Sequence, residues 1–358
     1  MRNVNIDDIE NFPNWRVGMS LAADWSWGFS IVVGMSKMYA EGFLPAIAWI
    51  VGNCLAIPLT AFIRRHVPSS KNWGNYIPML LLFTFLAFLT ININMKGLMV
   101  ALTGGHEKFA TYVFVSKETA TWLIVAFASI TIFYVKFGGL RFLMITDIGA
   151  YIGQITAIIA MAITAFVTND GTMNNIVLSK GVDWKMIALF NFSGIIIGSL
   201  THAHHHQKLS AIKEERMIPT GMWACAWFAI YMFFVMIVAF YFNDNLYLGI
   251  MFLILMISLA VSSIDSGVSG LNFISEKIGF SEKNSKIAGM FMAMCIIIGW
   301  PFYGKSGTLS AIWDLLAAVR TPVVLIFLTS SILMLFLKKL GIVSKSKSLQ
   351  TLKMLPLE

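Results

Sequence analysis

A carboxylate lies within the stretch Ser20–Met35, SLAADWSWGFSIVVGM, which is apolar enough to cross a bilayer. An ionised carboxylate is costly in hydrocarbon, so we expect Asp24 to face a cavity and to meet a cation or a hydrogen-bond donor. Ser26, Gly28 and Gly34 follow it. This pattern predicts a helix that breaks and frees backbone carbonyls to coordinate an ion, as in secondary transporters. A charge that snorkels from a helix end is the alternative interpretation.

A second polar patch lies in the apolar segment Met256–Gly270, MISLAVSSIDSGVSG. The hydroxyls of Ser262, Ser263 and Ser266 and the carboxylate of Asp265 supply the oxygen ligands that a hard monovalent cation such as sodium prefers. Serines that bond to the carbonyl four residues earlier, or that allow close helix packing, explain the same pattern without an ion.

A further intramembrane carboxylate, Asp147, lies in the stretch KFGGLRFLMITDIGAYIGQ. We expect Gly138 and Gly139 to form a tight cytoplasmic turn, with Arg141 at the inner membrane face. Asp147 would then lie about two helical turns into the span.

Four histidines occur in THAHHHQKLSAIKEER, at positions 202, 204, 205 and 206. On a helix, His202 and His206 would share one face, as two metal ligands must, but no third ligand is evident. We therefore interpret the stretch as a polar cytoplasmic helix end.

Composition identifies the class of protein. The 358 residues are 58% hydrophobic and 12% charged, with a mean hydropathy of +0.76, which is typical of a polytopic all-α membrane protein. Cys54, Cys225 and Cys295 lie in apolar runs and are interpreted as core residues. The sequence has no Walker loop, Rossmann glycine pattern, nucleophile elbow or HExxH motif, so we expect no enzyme.

Hydrophobic runs of about the spanning length predict about ten transmembrane helices. They lie at 17–36, 43–63, 76–102, 119–137, 146–167, 185–204, 220–242, 246–268, 286–303 and 309–337. Basic residues concentrate in alternate loops, which predicts that both termini are cytoplasmic. We therefore interpret the net charge of +8 as a sign of membrane topology and not of nucleic-acid binding. We therefore expect a cytoplasmic segment at 1–16, a transmembrane core at 17–340 in the cell membrane, and a cytoplasmic basic tail at 341–358.

Two basic residues, Lys96 and Arg320, remain within predicted spans. They either snorkel to a membrane interface or serve as a counter-charge for Asp24, Asp147 or a substrate carboxylate.

Several stretches resemble the sodium/solute symporter family, which includes proline, sugar, pantothenate and sialic acid carriers. The matching stretches are AADWS, LTININMKGLMVALTGG, FGGLRFLMITDIG, HHHQKLSAIK and LAVSSIDSG, and they occur in the family's order. The resemblance implies the leucine-transporter type of fold, a five-plus-five inverted repeat, which agrees with ten spans. The chain is short for this family.

The resemblance also implies a site. The sodium ligands would be the carbonyls of Ala22, Trp25 and Leu259 and the hydroxyls of Ser262 and Ser263. Asp24, Ser26 and Asp147 would take part in sodium binding or coupling, and Asn92, Asn94, Lys96 and His202 are the candidates for substrate contact.

The sequence therefore predicts a sodium-coupled symporter that imports a small polar organic solute by alternating access. An amino acid or a carboxylate is favoured over a sugar, because Lys96 and Arg320 offer cations and Trp49 stands where sugar carriers place an acidic residue. One alternative is a solute sensor or partner subunit of the same fold that does not transport. Another is a proton-coupled carrier that uses Asp24 or Asp147. Sodium is the expected ion, and the oligomeric state is left open.

Overall fold

The computed structural model describes residues 11–26, 28–104, 112–171, 173–179, 198–243, 245–303 and 308–339. Within these ranges the chain is helical, and its single β-type pairing is an isolated bridge between Thr103 and Val113. The helices are α1 (Asn14–Trp25), α2 (Gly28–Ala40), α3 (Phe43–His66), α4 (Ile77–Thr103), α5 (Lys117–Thr168), α6 (Ala203–Ser210), α7 (Glu214–Tyr241), α8 (Leu246–Lys277), α9 (Glu282–Tyr303) and α10 (Thr308–Lys339), with short 3-10 helices at Pro68–Asn75 and Ser199–Thr201.

The first predicted span is interrupted, and it forms the two helices α1 and α2. Helix α1 ends at Trp25, and Ser26 leaves the helical conformation with φ −82° and ψ 78°. The backbone N–H of Ser26 donates to the carbonyls of Ala22 and Ala23, and its hydroxyl donates to Ala22 at 2.7 Å. Ser26 therefore satisfies two carbonyls that the helix end would leave without a partner. The break lies two residues after Asp24, where the sequence predicts it.

Helix α1 lies at the centre of the molecule. All nine residues from Val17 to Trp25 are buried, a pattern typical of a helix that is surrounded on every side. It packs against α5 and α7, and the contact with α7 is close at Gly18, where an added Cβ would lie 2.6 Å from the Cβ of Trp223.

Helix α8 is the second central element and packs along α4, α5 and α9. Its residues 262–271 are buried without interruption. At Gly267 the axis approaches α4 so closely that a Cβ would lie 2.7 Å from Cγ1 of Ile91. Small residues at such contacts let intramembrane helices meet without water.

The predicted turn at Gly138 and Gly139 is wrong, because the backbone stays helical from Lys117 to Thr168. The fourth and fifth predicted spans thus belong to one helix, α5. A glycine inside a helix costs about 1 kcal/mol relative to alanine, which the apolar helix-forming sequence on both sides can outweigh.

The sixth predicted span falls mostly on residues 180–197, outside the described residues. Its last part forms the 3-10 helix Ser199–Thr201, followed by α6.

The chain is a multi-pass membrane protein. Six helical segments among the described residues are long and apolar enough to cross a bilayer, namely Phe43–His66, Ile77–Thr103, Leu140–Thr168, Glu214–Tyr241, Leu246–Lys277 and Glu282–Phe302. Large apolar side chains such as Phe62, Leu81 and Ile152 are exposed on their outer surfaces, as lipid contact requires. The total of ten spans and the inverted repeat stay predictions.

Two contacts join segments that lie next to different predicted spans. Arg216, before the seventh span, donates to Asn14 Oδ1 at 2.7 Å, so two segments predicted to be cytoplasmic meet. At the opposite end, the N–H of Phe43 donates to the carbonyl of Val177 at 3.0 Å, which joins two segments predicted to be external. Which end is cytoplasmic stays a prediction, and the predicted tail at 341–358 lies outside the described residues.

Candidate functional site

A buried lysine bridges two intramembrane carboxylates, Asp24 and Asp147. The Nζ atom of Lys208 lies 2.5 Å from Asp24 Oδ2 and 2.5 Å from Asp147 Oδ2. The three side chains are at most 3% exposed. Helices α1, α5 and α6 are thus joined at one point, which we call the ion cluster (Asp24, Asp147 and Lys208).

Two serines add hydrogen bonds to the ion cluster. The hydroxyl of Ser20, one turn before Asp24 on α1, accepts from Lys208 Nζ at 2.8 Å and donates to Asp147 Oδ2 at 2.9 Å. The hydroxyl of Ser266 on α8 donates to Asp24 Oδ1. Buried ion pairs are stable when further hydrogen bonds satisfy their remaining lone pairs and protons. The serines supply part of these bonds, whereas Asp147 Oδ1 is buried and makes no hydrogen bond within the described part of the chain.

The charges of the ion cluster do not balance. Two carboxylates face one ammonium, so with every group ionised the cluster carries one net negative charge. The position is enclosed: Asp24 lies ten residues after the start of α1, and every residue from Val17 to Trp25 is buried. A buried surplus charge attracts a cation or a proton.

The predicted sodium ligands on α8 lie next to this cluster. Ser266 makes the connection, because its hydroxyl contacts both Asp24 and the carbonyl of Ser262, the latter at 2.8 Å. The hydroxyl of Ser262 accepts from Gln154 Nε2 at 3.0 Å and donates to the carbonyl of Leu259 at 3.2 Å. The hydroxyl of Ser263 is buried and makes no hydrogen bond within the described part of the chain.

The predicted ligands on α1 lie at the helix break. Ala22, Asp24, Trp25 and Ser26 are all buried. The carbonyl of Ala22 already accepts from Ser26, so an ion at this carbonyl would share it with that hydroxyl or replace it. The oxygen groups fit a sodium ion in chemical type, since they are carbonyls, hydroxyls and a carboxylate.

The interpretation of the histidine stretch as a polar cytoplasmic end is wrong. His202, His204, His205 and His206 are all at most 3% exposed. The ring of His202 packs 5.1 Å from that of Trp25 and 5.1 Å from those of His204 and His205, measured between centroids. The histidines are buried because α6 follows a 3-10 turn into the interior, beside the break in α1.

His206, predicted to share a helix face with His202, is hydrogen-bonded elsewhere and is not available as a metal ligand beside it. Both ring nitrogens of His206 are occupied, one by Arg64 and one by the carbonyl of Leu200 at 2.7 Å. Arg64, assigned to a cytoplasmic loop by its charge, is itself 3% exposed and donates to Ser210 at 2.6 Å. This second buried cation anchors α3 to α6.

The predicted substrate contacts are distributed over two regions. His202 lies at the helix break, as described above. Asn92 and Asn94 are buried on α4, where their amides donate to the carbonyls of Phe88 and Thr90 in the same helix. The Oδ1 atom of Asn92 has no hydrogen-bond partner among the residues described. Lys96 is half-buried on the same helix.

Sequence reasoning missed the counter-charge. The sequence predicts a cation beside Asp24 and Asp147, and Lys96 and Arg320 were the candidates for it. In the structure Lys208 supplies this cation. The side chain of Arg320 lies outside the described residues. Lys208 follows a run of histidines and precedes Glu214, a sequence context typical of a loop. Its carboxylate partners are 61 and 184 positions away in the chain, so no local sequence pattern predicts the ion pairs.

Comparisons with known proteins support the fold. Among solved structures, the chain is similar to the substrate-bound outward-open state of a Na+-coupled sialic acid symporter, with a TM-score of 0.50 and 14% identity over 87% of this chain and 76% of that one. No protein-family model and no curated protein matches the sequence. The similarity shows that the chain shares the fold of that structure.

Proposed function

We propose that the protein is a secondary transporter of the cell membrane that moves a small polar solute by alternating access, coupled to sodium. The observation that carries this proposal is the buried ion cluster at the break of α1, within a fold that a Na+-coupled symporter shares. Intramembrane ionisable residues are costly, and they mark ion and substrate pathways where they occur.

Charge is the reason for a coupling ion. The ion cluster holds one surplus negative charge when all its groups are ionised. A monovalent cation such as sodium neutralises that charge. Sodium would be held by the carbonyls of Ala22, Trp25 and Leu259 and the hydroxyls of Ser262 and Ser263, beside Asp24.

Two observations support this set of ligands. The hydroxyl of Ser263 is buried without a hydrogen bond in the described chain, so an ion would satisfy it. The hydroxyl of Ser266 links Asp24 on α1 to the backbone of Ser262 on α8. An ion between these helices would hold α1 against α8 and stabilise one conformation of the carrier.

Coupling follows from that stabilisation. If sodium and solute both bind the conformation in which α1 and α8 are held together, each raises the affinity for the other by the same factor. Release of sodium then restores the surplus charge and loosens the contact, which favours the opposite orientation. Asp147, at the far side of Lys208, connects this change to α5.

We infer that the solute is an amino acid or a carboxylate, bound between the helix break and α4. His202 packs on Trp25 at the break. The Oδ1 atom of Asn92 on α4 has no hydrogen-bond partner in the described ranges, so both residues offer polar contacts. Lys96 offers a cation for a carboxylate. The indole of Trp49, which is 7% exposed, takes the place of the acid expected in a sugar carrier.

A proton-coupled carrier is the second candidate, and a specific contact favours it. Lys208 already places a cation 2.5 Å from Asp24 and Asp147. With that internal cation present, one proton on either carboxylate would neutralise the cluster, and sodium would not be needed.

Flux in proteoliposomes tests both candidates. Candidate solutes are first screened by the unfolding temperature with and without sodium, because a ligand that binds the folded state raises it. Uptake of the selected solute is then measured with an inward sodium gradient and with choline in place of sodium at fixed pH. The sodium mechanism predicts uptake that fails in choline, whereas a proton-coupled carrier keeps working. Solute binding without flux, both with the sodium gradient and in choline, would identify a sensor or partner subunit.

A further inference from the structure

The rings of His204 and His205 form a buried nitrogen cluster beside Asp24. Their centroids are 4.4 Å apart, and the side chains are buried. Within the described ranges no hydrogen bond of normal geometry reaches His204 Nε2, and the ring nitrogens of His205 meet no polar partner other than a loose contact with the backbone of Ser199. A buried polar atom without a partner costs about 1–3 kcal/mol. Several such atoms at one place indicate that a ligand supplies the missing interactions.

The donor atoms converge on one point. His204 Nε2 lies 3.9 Å from Asp24 Oδ2, and ligand atoms of Asp24, His204 and His205 all lie within 4.8 Å of one another. Around a tetrahedral zinc ion with bonds of about 2.1 Å, ligand atoms are roughly 3.4 Å apart. Small rotations of the two rings and the carboxyl group therefore close the site.

The chemistry of the donors selects the ion. Two imidazoles and one carboxylate suit zinc and the neighbouring first-row divalent ions, whereas sodium, magnesium and calcium prefer oxygen alone. We propose that Asp24, His204 and His205 form a binding site for a divalent transition-metal ion of the zinc class. Three protein ligands leave one position of a tetrahedral ion open, as an exchangeable ion requires.

The metal and Lys208 compete for the same atom. Lys208 Nζ is 2.5 Å from Asp24 Oδ2, which is the oxygen nearest to His204. Metal binding therefore displaces the ammonium from Asp24 and leaves it with Asp147. This competition makes the site responsive to residues that do not contact the ion, and it is independent of whether the protein moves a solute.

The first test is direct metal binding. The full chain is purified in detergent with an affinity tag that contains no histidine, and Zn²⁺ is titrated by calorimetry. We expect about one ion per chain. His204→Ala and His205→Ala should each weaken binding at least roughly tenfold, since even the residues that support metal ligands are worth that much. His206→Gln, whose parent ring is already hydrogen-bonded, and His66→Ala, at the exposed end of α3, are the controls.

The second test uses the competition. Asp147→Asn leaves Lys208 with Asp24 as its one carboxylate partner in the ion cluster, so zinc should bind more weakly. Lys208→Met frees Asp24 Oδ2, so zinc should bind more tightly. A histidine site elsewhere on the protein would respond to neither change. If Lys208→Met does not fold, Asp147→Asn alone carries this test.

Three results would overturn the proposal. The first is the absence of stoichiometric zinc binding by the folded wild-type protein, and the second is unchanged affinity in His204→Ala and His205→Ala. The third is measured on protein loaded with Co²⁺ in place of Zn²⁺: an absorption spectrum with thiolate charge-transfer bands would assign the ion to a cysteine. Gel filtration and the unfolding temperature without metal confirm that each variant is folded. Binding is measured apart from flux, so failure of the metal site and failure of the transport proposal are distinguishable.

Discussion

The ammonium of Lys208 lies 2.5 Å from Asp24 although 184 positions separate the two residues in the chain. Together with the equally short contact to Asp147, it joins three helices inside the membrane. Breaking such a cluster by removing one partner leaves a buried charge uncompensated.

Lys208→Met should therefore strongly destabilise the protein. Loss of one member of a buried ion pair costs about 3–5 kcal/mol, and here two carboxylates lose their cation. Lys286→Met is the matched control, because Lys286 is half-exposed and pairs with Glu282 in the same helix, where such pairs contribute less than about 1 kcal/mol. The unfolding temperature in detergent, followed by tryptophan fluorescence, should fall far more for Lys208→Met. Equal shifts would mean that the ion cluster does not hold the bundle together.

Parts of this arrangement are predictable from the sequence because they depend on local signals. Asp24 within an apolar run, followed by Ser26 and Gly28, predicts both burial and the break of α1. The partner of Asp24 is not predictable in this way. Hydropathy and charge assign Lys208 to a cytoplasmic loop, since a lysine is buried only where acidic partners meet it, and those partners come from distant helices. The burial of His204 and His205 depends on the same tertiary contacts.

Ser263→Ala should separate stability from ion binding. The hydroxyl of Ser263 makes no hydrogen bond in the described chain, so its removal should cost little stability. If it is a sodium ligand, the rise in unfolding temperature on adding sodium should disappear. Ser275→Ala on the same helix is the control: it loses a hydrogen bond of 2.9 Å to Leu271 but should keep the sodium effect. Sodium stabilisation that persists in Ser263→Ala would exclude this serine from the site.

Gly267→Ala should disrupt the contact between α8 and α4. The added methyl group would lie 2.7 Å from Ile91 Cγ1 and 3.3 Å from the carbonyl of Ala87, so the helices must separate. Overpacking of this kind costs about 1–3 kcal/mol. Gly149→Ala on α5 is the control, because no atom lies within 4 Å of its added Cβ. It should be neutral or stabilising by up to about 1 kcal/mol. The unfolding temperature should therefore fall for Gly267→Ala and not for Gly149→Ala. A Gly267→Ala variant as stable as the wild type would contradict the close approach of α8 and α4.

Asp147→Asn should uncouple the carrier from its ion. The substitution keeps Lys208 paired with Asp24 at 2.5 Å but removes the surplus negative charge of the ion cluster, so no coupling cation is needed to neutralise it. The expected variant moves solute down its own gradient at a rate that does not depend on sodium, and it no longer accumulates solute against a gradient. Counterflow in proteoliposomes, with sodium or choline on both sides, measures the first property, and uptake driven by a sodium gradient measures the second. Asp170→Asn, after the end of α5, is the control and should remain coupled. An Asp147→Asn variant that still accumulates solute on a sodium gradient would show that the charge on this carboxylate does not set the coupling. Coupling to sodium would then depend on the oxygen ligands of α1 and α8.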